Sequence, residues 1–583
     1  MQKKHIAFLV LLGILCIAAF FRFYNINWDS GNHLHPDERF LVMVANDMKM
    51  PTSLAQYLDP QVSTLNPTNI NFKFYVYGTF PVVLNKLIAQ ITANDNYAGL
   101  SYQGRLLSAF FDLLTVAFLF KLLFLLKKHR NLPREIVFFG PIFYALAVMP
   151  IQLSHFFAVD TFLNFFLLAS FYCILKFYYE KSIVKFFAGS IFFALAVASK
   201  ISAIYILPLL LFIIFLSAFR QKGLPWPLSY LSFPRTRESK SKIGSWFGAR
   251  NDKIRNLWRG SALLLIFFIL FYLTLRVADP YYFADANFLH IKPNPVFIEN
   301  LQTLKSYSQK EGWFPPSVQW INKTPVVFSL YNLAFFGLGL FYFLLVPVGI
   351  FFLLKKHRAP ELTALFIWVG LFFLYQSTQL AQTMRYYIIL YPFFALSAAA
   401  GFHYLFGKLN PYARITLLLL LLAWPLCFLS VYAKPMTRVE ASYWIYSNIP
   451  QGSTILGELW DDALPLPLPG GNQYDVQLLP VFDYDTDEKW KKMDELLEKG
   501  DYYILASNRA WGSIPTVPER YPKMTKFYKA LFAGKLNFKK IKDFTSYPSL
   551  SYLGIPLTIQ DDMADESFTV YDHPRVIIFQ KIK

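Results

Sequence analysis

The sequence predicts a polytopic α-helical membrane protein with a C-terminal extracytoplasmic α/β domain, and three observations predict it. Apolar residues make up 55% of the 583 residues and charged ones only 16%, more apolar surface than a soluble domain can hide. Uncharged runs recur, each of roughly 17–25 residues, enough to cross ~30 Å of hydrocarbon as a helix. After Tyr432 the composition changes to short strand-like and helix-like segments.

The runs place about eleven transmembrane helices, near 6–23, 104–126, 135–152, 160–179, 184–200, 201–218, 260–277, 326–354, 360–377, 386–406 and 412–431. No small-residue cleavage site follows the first run, so it reads as a retained span rather than a signal peptide. Cys16, Cys173 and Cys427 all lie inside runs and fit small apolar positions better than a disulfide framework. The loops orient the chain. Lys127, Lys128, Arg130 and Arg134 follow the second run, and Lys181 and Lys185 the fourth. Ten lysines and arginines stand from Arg220 to Arg259, and Lys355, Lys356, Arg358, Lys408 and Arg414 flank later runs. All fall on the side of the N-terminus, which the positive-inside rule makes cytoplasmic. The net charge of +19 then needs no nucleic acid. The same parity puts 24–103, 278–325 and the tail after 432 outside a plasma (inner) membrane. Where the two runs at 184–218 join, only Ser199, Lys200 and Ser202 interrupt a long apolar stretch. Two spans are expected there, because one would turn the basic loop 219–259 outward. Within that loop, Ser232–Lys253 is polar and basic, like an inserted repeat element, and reads as a solvated segment near anionic headgroups.

The chain thus divides into a membrane domain, 1–431, and an α/β domain, 432–583. In the latter, "STILGELW" (453–460) and "DYYILAS" (501–507) read as buried strands. "DEKWKKMDELLEKG" (487–500) has helical spacing with Gly500 as its cap. A second helix is expected near 521–532, and "FTVYDHPRVIIFQKI" suggests a closing hairpin.

Charged residues at the outer ends of spans are the candidate chemistry, because charge at the edge of hydrocarbon is expensive and tends to face a cavity. They are Asp37, Glu38, Arg105, Asp160, Lys200 and Arg385, with His155 close to Asp160. Carboxylates there can take a proton from an attacking hydroxyl, and cations can neutralise a departing phosphate. Plainer roles are also open. In "HPDER", Pro36 suits the first helical position and Asp37 and Glu38 its first turn, facing the helix dipole. Arg105 and Arg385 can anchor helix ends by snorkelling. An isolated lysine in so short an outer turn as Lys200 runs against the positive-inside rule, which favours function. His155 has no second His or Cys at ligand spacing.

The motifs, taken in order, resemble the GT-C superfamily of phospholipid-carrier-dependent glycosyltransferases, near its protein O-mannosyltransferase and aminoarabinose-transferase branch. "HPDE" (35–38) is similar to the acidic motif after that family's first span, and "YGTFPVVLNKL" (77–87) to its first-loop segment. "GRLLSAFFDLLTVAFLF" (104–120) resembles the second span, "SHFFAVDTFLNFFLLASFY" (154–172) the second acidic motif, "ALAVASKISAIYILPLLL" (194–211) the lysine-bearing turn and "MRYYIILYPFFAL" (384–396) the arginine–tyrosine motif. "QWINKTP", "TRVEASYWIYSNIPQGS" and "GELWDDALP" extend the likeness towards the C-terminus.

The resemblance implies a membrane glycosyltransferase moving a sugar from a polyprenyl-phosphate donor to an acceptor hydroxyl, with inversion. Asp37 would be the catalytic base, Glu38 and Asp160 would shape the sugar pocket, and Lys200, Arg105 and Arg385 would hold the phosphate beside Tyr386. Its partners would be the lipid-borne donor, membrane lipids and a protein, lipid or glycan acceptor. No cofactor is expected; a divalent metal finds no dedicated cage in the sequence. A flippase of lipid-linked sugars is the competing class, expected to show internal repeats and broken helices. A non-catalytic assembly protein is the other.

Overall fold

The structure is a computed structural model describing residues 2–219, 242–471 and 473–582. Most of the loop 219–259 therefore lies outside the described residues, and the segment Ser232–Lys253 is described only from 242, inside the helix Lys242–Ala278.

Among the described residues, seven helices are long and apolar enough to cross a membrane, or up to nine if each of two bent pairs counts as one span. Each of the eleven expected spans is helical. The spans at 184–200 and 360–377 are helices of only 17 and 18 residues, Ile183–Ser199 and Pro360–Ser377. Two expected spans are broken. Arg134–Ala145 and Val148–Ser154 meet at 52°, and Val327–Gly337 and Leu340–Lys356 at 116°. At the second break Gly339 takes φ +86°, the left-handed region that glycine occupies freely. A Cβ there would stand 2.7 Å from the Trp424 ring.

The join at 184–218 breaks at Lys200, as expected. Ile183–Ser199 ends there, and a 3-10 turn, Ile201–Ile206, leads into Leu207–Phe219. The first-loop strap 75–79 lies against this break, where the Gly78 amide donates to the Ser199 carbonyl at 3.1 Å. A side chain at Gly78 would put its Cβ 1.9 Å from the Ala198 carbonyl oxygen, so only glycine permits the contact.

Inside the membrane domain the buried Arg22 has a counter-charge, as a low-dielectric interior requires. The Arg22 Nε donates to Asp112 at 2.5 Å, and Tyr144 donates to the same carboxylate. Outward faces stay apolar: Leu9 and Leu419 are 62% and 63% exposed, the surface lipid tails would cover.

The C-terminal domain carries a five-stranded sheet. Its strands are β1 (Thr454–Glu458), β2 (Asp475–Leu479), β3 (Tyr502–Leu505), β4 (Phe538–Phe544) and β5 (Val576–Lys581), in the order β2-β1-β3-β5-β4. β1, β2 and β3 run parallel, and β5 is antiparallel to β3 and β4. The helices Asp487–Lys499 and Pro522–Phe532 fall where the periodicity places them.

The closing hairpin differs from expectation, since only "RVIIFQKI" supplies a strand and its partners are β3 and β4. "FTVYD" instead docks on the membrane domain. Phe568 packs on Phe336 and Phe428, and Gln152 donates to the Phe568 carbonyl at 2.7 Å. The Met384 amide donates to Asp565 at 3.1 Å. Beside this seam, buried His573 bridges Asp561 at 2.9 Å and Asp572 at 2.5 Å. Burial pushes the imidazole down, but the two carboxylates outweigh it and raise the group from 6.5 to about 10. The stabilisation from that charge is therefore full below pH 6.5 and is lost as pH rises through about 10. We expect His573→Gln to lower the thermal unfolding temperature in detergent at pH 6, with the gap to the unsubstituted protein closing towards pH 10.

Candidate active site

The site is built from the short helix Pro36–Asp47 upward. Pro36 opens it at the first position, and the His35 ring nitrogen caps it by accepting from the Glu38 amide at 3.3 Å. Burial pushes the His35 imidazole down to about 4, so the ring is neutral and free to accept. It lies between Phe156 and Tyr571, with centroids 4.3 and 4.4 Å away. This first turn sends two adjacent carboxylates in different directions, and their fates differ.

Asp37 faces a cavity of about 590 Å³ between the membrane domain and the C-terminal domain. Its Oδ2 meets Arg385 Nη1 at 2.5 Å, with the two side chains 24% and 15% exposed. Burial pushes the carboxyl up, but the Arg385 guanidinium, helped by His35 and Lys200, outweighs it and holds Asp37 down to about 2. Arg385 sits in the 3-10 turn Met384–Leu390, just where Thr383 and Met384 are pinned by Ser567 and Asp565. Tyr386 lines the cavity too. Lys200 Nζ stands 5.1 Å from the Tyr386 ring centroid and 2.7 Å from Asp160 Oδ1. Two acids and two bases so alternate around one spot, Asp37–Arg385 and Asp160–Lys200.

Glu38 points the other way, into the protein. It is wholly buried with Arg105 and Asp29. Arg105 Nη2 reaches Glu38 at 2.6 Å and Asp29 at 2.8 Å, and the guanidinium lies 5.1 Å from the Trp28 ring. Glu38 also accepts from Ser101 and from the Phe157 amide, both at 2.8 Å. With its donors spent on two carboxylates and the Ile26 carbonyl, Arg105 has no face toward the cavity. His155 is buried as well, bonded to the Ile151 and Tyr24 carbonyls at 2.8 and 3.0 Å and stacked 3.7 Å from Tyr432. Structure thus brings Asp37, Arg385, Tyr386, Asp160 and Lys200 together, and sets Glu38, Arg105 and His155 in the frame behind them.

The cavity also has a far wall that the sequence did not single out, formed by Arg438, Trp460, Asp461, Asp462, Arg509 and Tyr571 of the C-terminal domain. Arg39 links the two walls, donating to Asp462 at 3.0 Å from two residues beyond Asp37. The signal is present in "HPDER", "TRVEAS" and "GELWDDALP", but nothing local shows that they meet. Among the described residues, no group of three or more His, Cys, Asp or Glu side chains is arranged to hold a metal ion.

Residues 56–242 match the family model of dolichyl-phosphate-mannose-protein mannosyltransferase. Four of the six membrane motifs fall inside the match, with Arg105, His155, Asp160 and Lys200. Asp37 and Arg385 lie outside it. No curated protein sequence matches the chain. Among solved structures, the oligosaccharyltransferase AglB from Archaeoglobus fulgidus, in complex with an inhibitory peptide and a dolichol-phosphate, is similar at 14% identity and TM-score 0.48, covering 100% of this chain and 89% of its own. ArnT from Cupriavidus metallidurans is similar in its apo state at 12% identity and TM-score 0.44, covering 99% and 98%. Its form bound to undecaprenyl phosphate gives 13%, 0.43, 98% and 97%. Likenesses this distant carry no inference about substrate. Over residues 56–242 the family match bears out the resemblance drawn from the motifs, to the protein O-mannosyltransferase branch of the GT-C glycosyltransferases, and with it the enzyme class.

Proposed function

We propose that the chain transfers a sugar from a polyprenyl-phosphate donor to an acceptor hydroxyl in this cavity, on the extracytoplasmic side, with Asp37 as general base. The observation that carries the reading is the Asp37–Arg385 contact at the cavity wall. A carboxylate held at about 2 is a weak base. A donor phosphate entering the cavity competes for the Arg385 guanidinium, whose fork suits a phosphate as well as a carboxylate. As Arg385 turns to the phosphate, Asp37 loses its strongest counter-charge and gains basicity where the acceptor arrives. The acceptor oxygen then attacks the anomeric carbon and its proton passes to Asp37. The bond from that carbon to the phosphate oxygen breaks, and its electron pair leaves with the polyprenyl phosphate. One displacement inverts the anomeric centre. Lys200 adds a second cation beside Tyr386, and Asp160 fixes its position. The basic loops support an outward-facing cavity.

The exchange has a pH signature. The acid limb of kcat/KM reports the free enzyme and that of kcat the donor complex. We expect the limb in kcat to lie at higher pH than the limb in kcat/KM, because only in the complex has Asp37 lost Arg385. Coincident limbs would count against the exchange.

The two bent pairs are the feature a flippase would share. In liposomes containing a labelled polyprenyl-phosphate sugar and a panel of protein, lipid and glycan acceptors, we expect label on an acceptor. Movement of the lipid-linked sugar across the bilayer with no acceptor labelled would favour the flippase.

A further inference from the structure

The far wall of the cavity has features the donor chemistry does not use. Trp460 takes φ +80°, a left-handed conformation that is a true outlier for a bulky side chain. The fold holds it there: Arg509 donates to the Trp460 carbonyl at 2.6 Å and to Glu566 at 2.8 Å. The strained turn leaves the indole 37% exposed against Trp313 and Phe314, with centroids 5.6 and 6.1 Å away. Asp461 and Asp462 follow at once. Arg438, itself 1% exposed, clamps them at 2.6 and 2.7 Å, and Ser507 donates to Asp461 at 2.5 Å. Trp320 also lines the cavity, and its indole N–H is buried without an acceptor.

We infer that Trp460 and Asp462, held in place by Asp461, form the acceptor subsite, and that the acceptor it takes is a saccharide; the inference rests on the glycosyltransferase reading above. Aromatic rings offer flat apolar faces with a polar edge, which suit the C–H face of a sugar ring. Asp462, fixed by Arg39 and Arg438 and 16% exposed, only accepts hydrogen bonds, and so calls for a ligand with hydroxyl donors. Trp320 supplies the opposite need, a donor awaiting an oxygen. The wall's charges nearly balance, Arg438 and Arg509 against Asp461 and Asp462, which suits a neutral ligand better than a strongly charged one. Arg39 then ties this subsite to the helix that carries Asp37, so that a sugar hydroxyl on the far wall and the base on the near wall share one cavity.

The test is binding, read apart from catalysis. The full chain in lipid nanodiscs is probed by saturation-transfer NMR with neutral trisaccharides of glucose, mannose and N-acetylglucosamine, and with a serine-containing hexapeptide. Undecaprenyl phosphate binding is measured alongside. Trp460→Gly removes the ring and relaxes the backbone, so it keeps the turn. We expect a trisaccharide signal in the unsubstituted protein, at least tenfold weaker in Trp460→Gly, with undecaprenyl phosphate bound equally by both. No trisaccharide signal, a signal indifferent to Trp460→Gly, or binding of the hexapeptide alone would overturn the saccharide subsite while leaving the transferase reading standing. Trisaccharide binding lost in Trp460→Gly, with the unsubstituted protein itself failing to bind undecaprenyl phosphate, would keep the subsite and overturn the donor reading.

Discussion

Asp37→Asn is expected to abolish sugar transfer while leaving the fold and the donor site in place. The amide cannot accept the acceptor's proton, and removing a general base typically costs 10²–10⁴-fold in rate. The substitution also frees Arg385, whose 2.5 Å contact with Asp37 otherwise competes with the donor phosphate. Donor affinity should therefore hold or tighten while kcat falls. A carboxylate that served only the helix start would behave differently. Losing its charge in the first turn costs about 0.3–1 kcal/mol of helix stability and leaves kcat alone. Steady-state kinetics with donor and acceptor varied separately distinguishes the two.

Arg105→Leu is expected to cost the fold itself. Glu38 and Asp29 are both fully buried, and each shares Arg105 at under 3 Å. Removing the guanidinium strands two carboxylates in a low-dielectric interior, and breaking one such buried pair costs about 3–5 kcal/mol. Total stability is only about 5–15 kcal/mol for a typical domain. The variant should show a sharply lowered unfolding temperature in detergent and a low membrane yield. Glu38→Gln keeps an acceptor for Ser101 and for Arg105, and should fall between. If Arg105 instead held the donor's phosphate, Arg105→Leu would fold normally and raise the KM for donor.

Much of this architecture was legible because charge is rare in the chain. Lys200 stood out in an apolar stretch, and the break falls at that residue. The helix start at Pro36 followed from residue types alone. The break at Gly339 was not legible, since neither neighbouring glycine interrupts the apolar pattern and the turn is fixed by packing on Trp424. β4 is not legible because "FKKIKDF" presents lysines outward at a sheet edge, a guard against edge pairing that weakens the strand signal. "FTVYD" has strand-like residues, yet its apolar side chains serve the seam between domains.

The site divides along the same line. Asp37, Asp160, Lys200 and Arg385 could be chosen as charges at span ends, and the structure gathers them. Glu38 and Arg105 met the same criterion but pair with each other, and Arg105 also with Asp29, whose part only the folded chain reveals. Trp460 and its acidic neighbours lie more than 400 residues from Asp37, and no local pattern announces that Arg39 reaches them.

The most direct test of the transferase account is a single-turnover reaction in nanodiscs. The purified protein is given a polyprenyl-phosphate sugar labelled at its anomeric carbon and the acceptor panel, and the product's configuration is read by NMR. The account predicts a new glycosidic bond of inverted configuration, formed by the unsubstituted protein and absent with Asp37→Asn. Retained configuration, or equal product from Asp37→Asn, would contradict it.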